Sequence, residues 1–252
     1  MLQIAIPKFS YANGTILIGR FGRAPIYAHV GFCVIAALLV LPYVWLGRAG
    51  LALFGVFVVF ASVLIHELAH AEVGRRYGAI AQRIDLNYLG GLVTFWSAPM
   101  NRRKQAAITL AGPLSNLAIA LICYIAMRLV AEPVSQTMSV NGEVLWNHRA
   151  VPGFAESALR LSAYFNAAMF VVNMLPAYPL DGGKLAWMAI ARATGEVRAT
   201  LIVGALGTVL GIGSALVFVM SMLAGWPIWS PPSVSVNWQA LQAARQGYSV
   251  ES

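Results

Sequence analysis

The chain has 252 residues, of which 59% are apolar and only 10% are charged. Soluble domains have about 45–50% apolar and about 25% charged residues, so this composition excludes an ordinary soluble domain, a disordered chain and a disulfide scaffold. The net charge of +8 does not require a nucleic-acid partner, because membrane proteins collect Lys and Arg on their cytoplasmic side. We therefore expect a lipid bilayer, and no nucleic acid, as a partner.

Long uncharged runs predict five membrane-spanning helices, since about 20 apolar residues cross the roughly 30 Å hydrocarbon core. The fourth run is broken by Pro176 and Pro179, and the short apolar stretch after it, residues 185–191, would make a sixth if counted separately. The pattern predicts an all-α polytopic membrane protein with five to six transmembrane helices, folded as a single domain over residues 1–252. The five runs are residues 30–47, 49–65 with the helix pattern continuing to about residue 73, 105–127, 161–180 and 199–226.

Two segments outside these runs have a different character. Residues 84–97 are too short to span, are split by Gly90-Gly91, and are rich in β-branched and aromatic residues. That pattern predicts a small re-entrant β-hairpin. The tail, about residues 227–252, begins with prolines and is weakly amphipathic, which predicts an interfacial segment.

The distribution of Lys and Arg predicts the orientation. Residues 75–104 contain Arg75, Arg76, Arg83 and three further basic residues, against Asp85 alone. With five spans, the cytoplasmic excess of basic residues places the N-terminus in the cytoplasm and the C-terminus outside. We expect an integral protein of a prokaryotic cell membrane.

The second predicted span ends in His66-Glu67-Leu68-Ala69-His70, an H-E-x-x-H motif. On a helix, residues i and i+4 share a face, so both imidazoles can bind one zinc ion while the glutamate acts as general base for a water molecule. Ionisable groups in an otherwise uncharged membrane helix are costly and usually functional. The motif predicts a zinc site with His66 and His70 as ligands and Glu67 as base.

A catalytic zinc site uses three protein ligands, and Asp181 is the strongest candidate for the third. It lies where Pro176 and Pro179 break the fourth run and two glycines follow. Unwound backbone at membrane depth is tolerated only where it faces protein or a watery cavity. Proline lacks an N–H and glycine can adopt a positive φ, so this segment can turn the Asp181 carboxylate toward the metal, at the depth of His70.

These motifs together resemble those of the site-2 protease family of intramembrane zinc metalloproteases. The second motif is N-x-x-P-x-x-P-L-D-G, from Asn173 to Gly182. Gly112-Pro113-Leu114-Ser115-Asn116 is similar to the G-P-x-x-N element of that family, and Leu89-Gly90-Gly91 is similar to its re-entrant hairpin. The resemblance extends over roughly residues 15–225 and is to the compact form, without PDZ or CBS domains.

The resemblance implies the roles of the site residues. His66, His70 and Asp181 would bind one Zn²⁺ per chain, Glu67 would be the catalytic base, and Asn173 would assist near the scissile carbonyl. The implied activity is that of a metalloendopeptidase in regulated intramembrane proteolysis, hydrolysing peptide bonds within or near transmembrane segments, with the active site near the cytoplasmic face. The edge of the hairpin would pair with an unwound substrate strand.

Two other interpretations stay open. A non-catalytic metal-binding membrane protein or transporter would leave Glu67 without a role. A membrane-anchored gluzincin would need a third-ligand glutamate on a helix after the H-E-x-x-H motif, and none is evident in the sequence. The sequence specifies neither the substrate nor the oligomeric state.

Overall fold

The computed structural model describes residues 14–87, 90–96, 101–131, 137–140, 143–147, 152–223 and 233–249. Within these ranges the protein is mostly helical with a small sheet. The helices are α1 (Val30–Trp45), α2 (Ala49–Arg76), α3 (Arg102–Val130), α4 (Phe154–Asn173), α5 (Asp181–Thr194), α6 (Glu196–Leu223) and α7 (Val234–Arg245). The strands are β1 (Thr15–Phe21), β2 (Ala24–His29), β3 (Ile80–Asn87), β4 (Gly90–Trp96), β5 (Thr137–Val140) and β6 (Glu143–Asn147).

Three of the described helices are long and apolar enough to cross a membrane: α2, α3 and residues Glu196–Val217 of α6. Helix α1 has only 16 residues, and α4 carries Glu156 and Arg160 in its first two turns. The structure therefore supports an integral membrane protein. The larger number of five to six spans stays a prediction.

The β structure is more extensive than the predicted hairpin. Strands β3 and β4 form that hairpin, with Leu86 opposite Gly91, whereas residues 88, 89 and 97 lie outside the described part. Strand β2 then pairs parallel with β3 and antiparallel with β1, which gives one sheet in the order β1-β2-β3-β4. The all-α prediction is corrected to a mostly helical fold with a four-stranded sheet. Strand β2 is buried along nearly its whole length, so its apolar sequence lacks the alternation of a half-buried strand.

The sheet packs against the C-terminal half of α2. Ile84 of β3, Ala71 of α2 and Ile26 of β2 form a buried cluster. Gly74 allows this approach, because a Cβ there would lie 2.6 Å from Cε1 of Phe95 in β4. The sheet is thereby positioned beside the turn of α2 that contains the H-E-x-x-H motif.

The predicted interfacial tail contains a packed helix. Asn237, Ala240, Leu241 and Ala244 of α7 are buried. Gly204 of α6 makes room for this face, since a Cβ there would lie 2.9 Å from the backbone nitrogen of Leu241. Helix α7 therefore docks on α6, while the remainder of the tail before residue 233 lies outside the described residues.

Candidate metal centre

Helix α2 positions His66, Glu67 and His70 in its penultimate turns, and all three side chains are buried. Because the motif lies inside a helix, its backbone groups bond one another. The side chains of His66, Glu67 and His70 are therefore free to serve the site. The two imidazole rings are stacked edge to face, with centroids 4.7 Å apart. One turn of helix thus places two nitrogen ligands side by side, as the i, i+4 spacing predicts.

Asp181 reaches this point from the chain break between α4 and α5. Helix α4 ends at Asn173, and Asp181 is the first residue of α5. The peptide bond between Tyr178 and Pro179 is cis. In the intervening segment the Leu180 amide donates to the Ala177 carbonyl over 2.9 Å. The segment is therefore an ordered turn that ends at a buried carboxylate.

The two glycines after Asp181 have a different role from the one predicted. Both lie in the first turn of α5, and neither is among the positive-φ residues of the described backbone. A Cβ on Gly182 would overlap the backbone of Met174 and Leu175, and one on Gly183 would lie 2.6 Å from the Ala177 carbonyl oxygen. The glycines are thus required for close packing rather than for backbone freedom.

The three candidate ligands converge to a small triangle. The Nε2 atoms of His66 and His70 are 3.1 Å apart, and the Asp181 Oδ2 lies 3.1 Å and 3.2 Å from them, respectively. Tetrahedral zinc ligands at about 2.0–2.2 Å from the ion are about 3.3–3.5 Å from one another. In the described part of the chain, these three residues form a group with the spacing of a metal site, with His70 and Asp181 side by side.

The outer nitrogen of each imidazole is bonded to an acceptor. His70 Nδ1 donates to the Ile108 carbonyl over 2.7 Å, and His66 Nδ1 donates to the Asn116 side-chain oxygen over 2.6 Å. The Asn116 amide nitrogen in turn donates to Asn166 Oδ1 over 2.8 Å. The Asn166 amide nitrogen donates to the Ser162 carbonyl over 2.9 Å. Because a carbonyl can only accept, this last bond fixes the orientation of both amides and thereby the proton on His66 Nδ1.

This proton assignment tests the fit to a metal ion. Neutral imidazoles protonated at Nδ1 present bare Nε2 lone pairs, and both face the carboxylate oxygen of Asp181 at hydrogen-bond distance. These three acceptor atoms, the two Nε2 atoms and Asp181 Oδ2, converge without a donor between them and repel one another. A bound cation would relieve that repulsion. Two histidines and one carboxylate are a usual donor set for catalytic zinc, and hydrogen bonding of the outer histidine nitrogens is typical of such sites.

Gly112 leaves the space that an ion needs. A Cβ on this residue of α3 would lie 2.5 Å from His66 Nε2 and would overlap His70 Nε2. The sequence predicts that Gly112 allows close helix approach. In the structure, the space left by the missing Cβ of Gly112 lies directly against the Nε2 atoms of His66 and His70.

Glu67 lies beside the ligands and under strand β4. Its side chain is buried, and a Cβ on Gly91 would overlap its carboxyl group. The hairpin therefore contacts the H-E-x-x-H helix directly at Glu67. Glu67 is held between the metal ligands and the sheet.

Asn173 has a helix-internal contact, in which its amide nitrogen donates to the Met169 carbonyl over 3.0 Å. Its assistance in catalysis stays a prediction. Asn116 bonds the candidate ligand His66 directly, which is a supporting role. Sequence reasoning missed Asn166, although a polar residue in an apolar helix is a signal for interhelical bonding. It also missed Asn237, which lies in the tail and outside any motif.

Asp85 is paired with basic residues outside the metal centre. The Arg83 guanidinium donates to its carboxylate over 2.6–2.8 Å and lies 4.3 Å from the centre of the Tyr27 ring. The hydrogen bonds from Arg83 raise the pKa of its guanidinium above the usual value. His29 Nε2 lies 3.5 Å from the same carboxylate.

Comparison with known proteins gives a family match over the whole metal centre. The model of peptidase family M50 matches residues 54–220. These residues include the three candidate ligands and the hydrogen-bonded Asn116 and Asn166, but they end before α7. A protein of Synechocystis named as a candidate zinc metalloprotease is 24% identical over 249 residues, which cover 93% of this chain and 60% of that protein. Rip3 of Mycobacterium tuberculosis, similarly named, is 26% identical over 239 residues, with 94% and 52% covered. The chain thus spans 52–60% of the length of these relatives.

The fold is also that of a solved structure. The site-2 protease from Methanocaldococcus jannaschii matches with a TM-score of 0.58 and 21% identity, over 92% of this chain and 94% of the other. At this identity the likeness establishes the shared fold. The match covers nearly the entire chain, so the shared fold includes both the four-stranded sheet and the turn between α4 and α5.

Proposed function

The chain belongs to peptidase family M50, and from this membership and the geometry of its site we propose that it is a zinc metalloprotease that cleaves within or near transmembrane segments of protein substrates. The observation that carries the proposal is the convergence of His66, His70 and Asp181 beside a buried, non-ligand carboxyl group. Metal binding alone would not require that fourth group. Its position next to the ligands is what hydrolysis requires.

The three ligands would hold one zinc ion per chain. When bound, zinc acts as a Lewis acid that polarises a carbonyl group and lowers the pKa of water. His66 and His70 contribute neutral nitrogens whose orientation is fixed by Asn116 and by the Ile108 carbonyl. Asp181 contributes the negative charge that partly balances the cation. The site is buried, which strengthens each of these electrostatic interactions.

Glu67 is the proton carrier in this proposal. Its carboxylate accepts a proton from the attacking water and then returns that proton to the nitrogen of the leaving amine. The close contact with Gly91 restricts the side chain to the position beside the ligands. Such restraint lowers the cost of reaching the reactive geometry.

Strand β4 is the proposed guide for the substrate. It lies at one edge of the four-stranded sheet, and its second residue, Gly91, contacts Glu67. A helical substrate hides its carbonyls in hydrogen bonds and must unwind before water can attack one. An unwound segment paired with β4 satisfies its backbone groups as an added strand, and it runs past Glu67.

The proposed orientation has the site near the cytoplasmic face. Arg102 at the start of α3 donates to Glu196 at the start of α6 over 2.9 Å, and Lys104 Nζ lies 5.8 Å from the centre of the Tyr77 ring just after α2. The starts of α3 and α6 therefore lie at the same end of the protein as the C-terminal end of α2. Single cysteines at Arg103 and Asn147, in a background without Cys33 and Cys123, test this with an impermeant thiol reagent on intact cells. Labelling at residue 147 alone supports the orientation, and labelling at residue 103 alone reverses it.

The test of the proposed function separates metal binding from turnover. Purified wild-type protein and the Glu67→Gln variant are compared for zinc content and for cleavage of a model transmembrane substrate in detergent. We expect equal zinc in both and cleavage only by the wild type. A non-catalytic metal-binding protein or transporter would bind zinc in both forms and cleave in neither, and a Glu67→Gln variant with wild-type turnover would reject Glu67 as the base.

A further inference from the structure

Asn237 of α7 makes a two-point contact with the segment that leads to the third ligand. It is fully buried. Its side-chain oxygen accepts from the Tyr178 backbone N–H over 2.8 Å, and its amide nitrogen donates to the Tyr178 carbonyl. The same nitrogen donates to the Ser233 carbonyl over 2.8 Å. One side chain thus satisfies both backbone groups of a residue 59 positions away.

The surrounding packing is shaped around this side chain. A Cβ on Gly207 of α6 would overlap the Asn237 side chain and would lie 3.1 Å from the Ala177 Cα. A Cβ on Gly204 would lie 3.1 Å from the Asn237 carbonyl oxygen. Helix α6, helix α7 and the turn between α4 and α5 therefore meet at Asn237. Only glycine at positions 204 and 207 allows α6 to lie this close to them.

The contact is coupled to Asp181 through a short, ordered path. Tyr178 precedes Asp181 by three residues. The intervening turn is closed by bonds from Leu180 N–H to the Ala177 carbonyl and from Gly183 N–H to the Leu180 carbonyl, 2.9 Å and 3.1 Å long. Any displacement of Tyr178 is passed to the Asp181 backbone, and metal–ligand distances tolerate only about ±0.2 Å.

We propose that Asn237 is a positioning residue for the metal centre: by fixing both backbone groups of Tyr178, it sets the position of the Asp181 carboxylate relative to His66 and His70. This rests on the proposed zinc site and extends it to a helix outside the residues 54–220 of the family match. The C-terminal helix is accordingly a part of the site's framework through this one side chain.

The chemistry of the contact selects asparagine. A short amide offers one acceptor and two donors, and all three are used, on Tyr178 N–H, Tyr178 C=O and Ser233 C=O. Aspartate keeps the acceptor but faces two carbonyls with no donor, and alanine keeps none of the bonds. Buried backbone groups left unbonded drive the segment to shift until they find other partners.

The experiment compares wild type, Asn237→Ala, Asn237→Asp and Leu241→Ala as full-length proteins in detergent. Leu241 is buried one turn further along α7, so its truncation weakens the docking of α7 while leaving the Tyr178 bonds intact. The measurements are zinc affinity by chelator competition, the visible absorption spectrum of the Co²⁺-substituted protein, and the thermal unfolding midpoint. The cobalt spectrum reports the ligand set independently of turnover.

We expect Asn237→Ala to lower zinc affinity by about 10–100-fold, the range typical when a supporting contact of a metal site is lost, and to change the cobalt spectrum. Asn237→Asp should fall between it and the wild type. Leu241→Ala should lower the unfolding midpoint yet keep wild-type affinity and spectrum. Wild-type affinity and spectrum in both Asn237 variants would overturn the proposal, as would an equal loss of affinity in Leu241→Ala. A wild type that binds no zinc would instead reject the proposed zinc site.

Discussion

The Nδ1 atom of His66 lies 2.6 Å from the side-chain oxygen of Asn116, a fully buried residue 50 positions further along the chain. The bond is the first of a series that continues through Asn166 and ends on the Ser162 backbone carbonyl. Helix α3 and helix α4 are thus linked to the orientation of one metal ligand. The ligand's tautomer is determined by a carbonyl in a helix that contributes no ligand.

We predict that Asn116→Ala lowers zinc affinity by about 10–100-fold, because His66 loses the acceptor that fixes its tautomer and ring orientation. Asn116→Asp keeps an acceptor for Nδ1 and should recover a large part of the affinity, as in the carboxylate–histidine–zinc arrangements of other sites. Chelator competition on the purified variants measures both. Thr208→Val is a matched control, since this buried hydroxyl bonds within α6, to the Gly204 carbonyl. Unchanged affinity in Asn116→Ala would show that the bond does not orient the ligand.

Gly112→Ala should abolish zinc binding. The added methyl group would lie 2.5 Å from His66 Nε2 and would overlap His70 Nε2, so it occupies the volume that the ion and its ligands require. Zinc content and thermal unfolding of the purified variant provide the check. Gly213→Ala in α6 is the control, because a Cβ there meets no heavy atom within 4 Å and helix propensity favours the change. Full zinc occupancy in Gly112→Ala would mean that the ion lies on another side of the histidines.

The sequence was sufficient to single out the candidate ligands, because residues with metal-binding chemistry are few in this chain. His66 and His70 are fixed by helical spacing, and Asp181 is a rare acid beside a break in an apolar run. The structure brings the three together, as predicted. Local pattern therefore suffices where a ligand's geometry is set within one or two turns of its own helix.

Long-range contacts explain what the sequence did not reveal. Asn166 and Asn237 form bonds to partners 50 and 59 positions away, and no periodicity encodes such pairings. Strand β2 is buried on both sides, so its pattern merges with that of the following helix. The sequence predicts that the glycine pair after Asp181 supplies backbone freedom, whereas in the structure the pair leaves space for the chain before it.

Substitution of Asp181 should separate charge from reach. Asp181→Asn removes the negative charge and should lower both zinc affinity and turnover. Asp181→Glu extends the side chain by one methylene, well beyond the ligand-distance tolerance of about ±0.2 Å, and should retain some zinc but lose most turnover. Asp85→Asn is the control, since that aspartate pairs with Arg83 outside the site. The zinc content of each variant and its rate of cleavage of a model transmembrane substrate test these expectations. Full zinc content and activity in Asp181→Asn would exclude Asp181 as a ligand.

Gly91→Ala should lower turnover without removing zinc. The new methyl group would overlap the Glu67 carboxyl group, so the base must leave its position beside the ligands or strand β4 must shift. Neither movement breaks the bonds from His66 and His70 to Asn116 and Ile108 of α3. A misplaced general base typically costs about 10²–10⁴-fold, and we expect a loss in that range, similar to that of Glu67→Gln. Gly19→Ala is the control, because this strand glycine of β1 has its nearest neighbour, Ile26 Cδ1, 4.0 Å from the added Cβ. Zinc content and cleavage rate are measured together, and a Gly91→Ala protein that loses its zinc would show that the strand supports the ligands rather than the base.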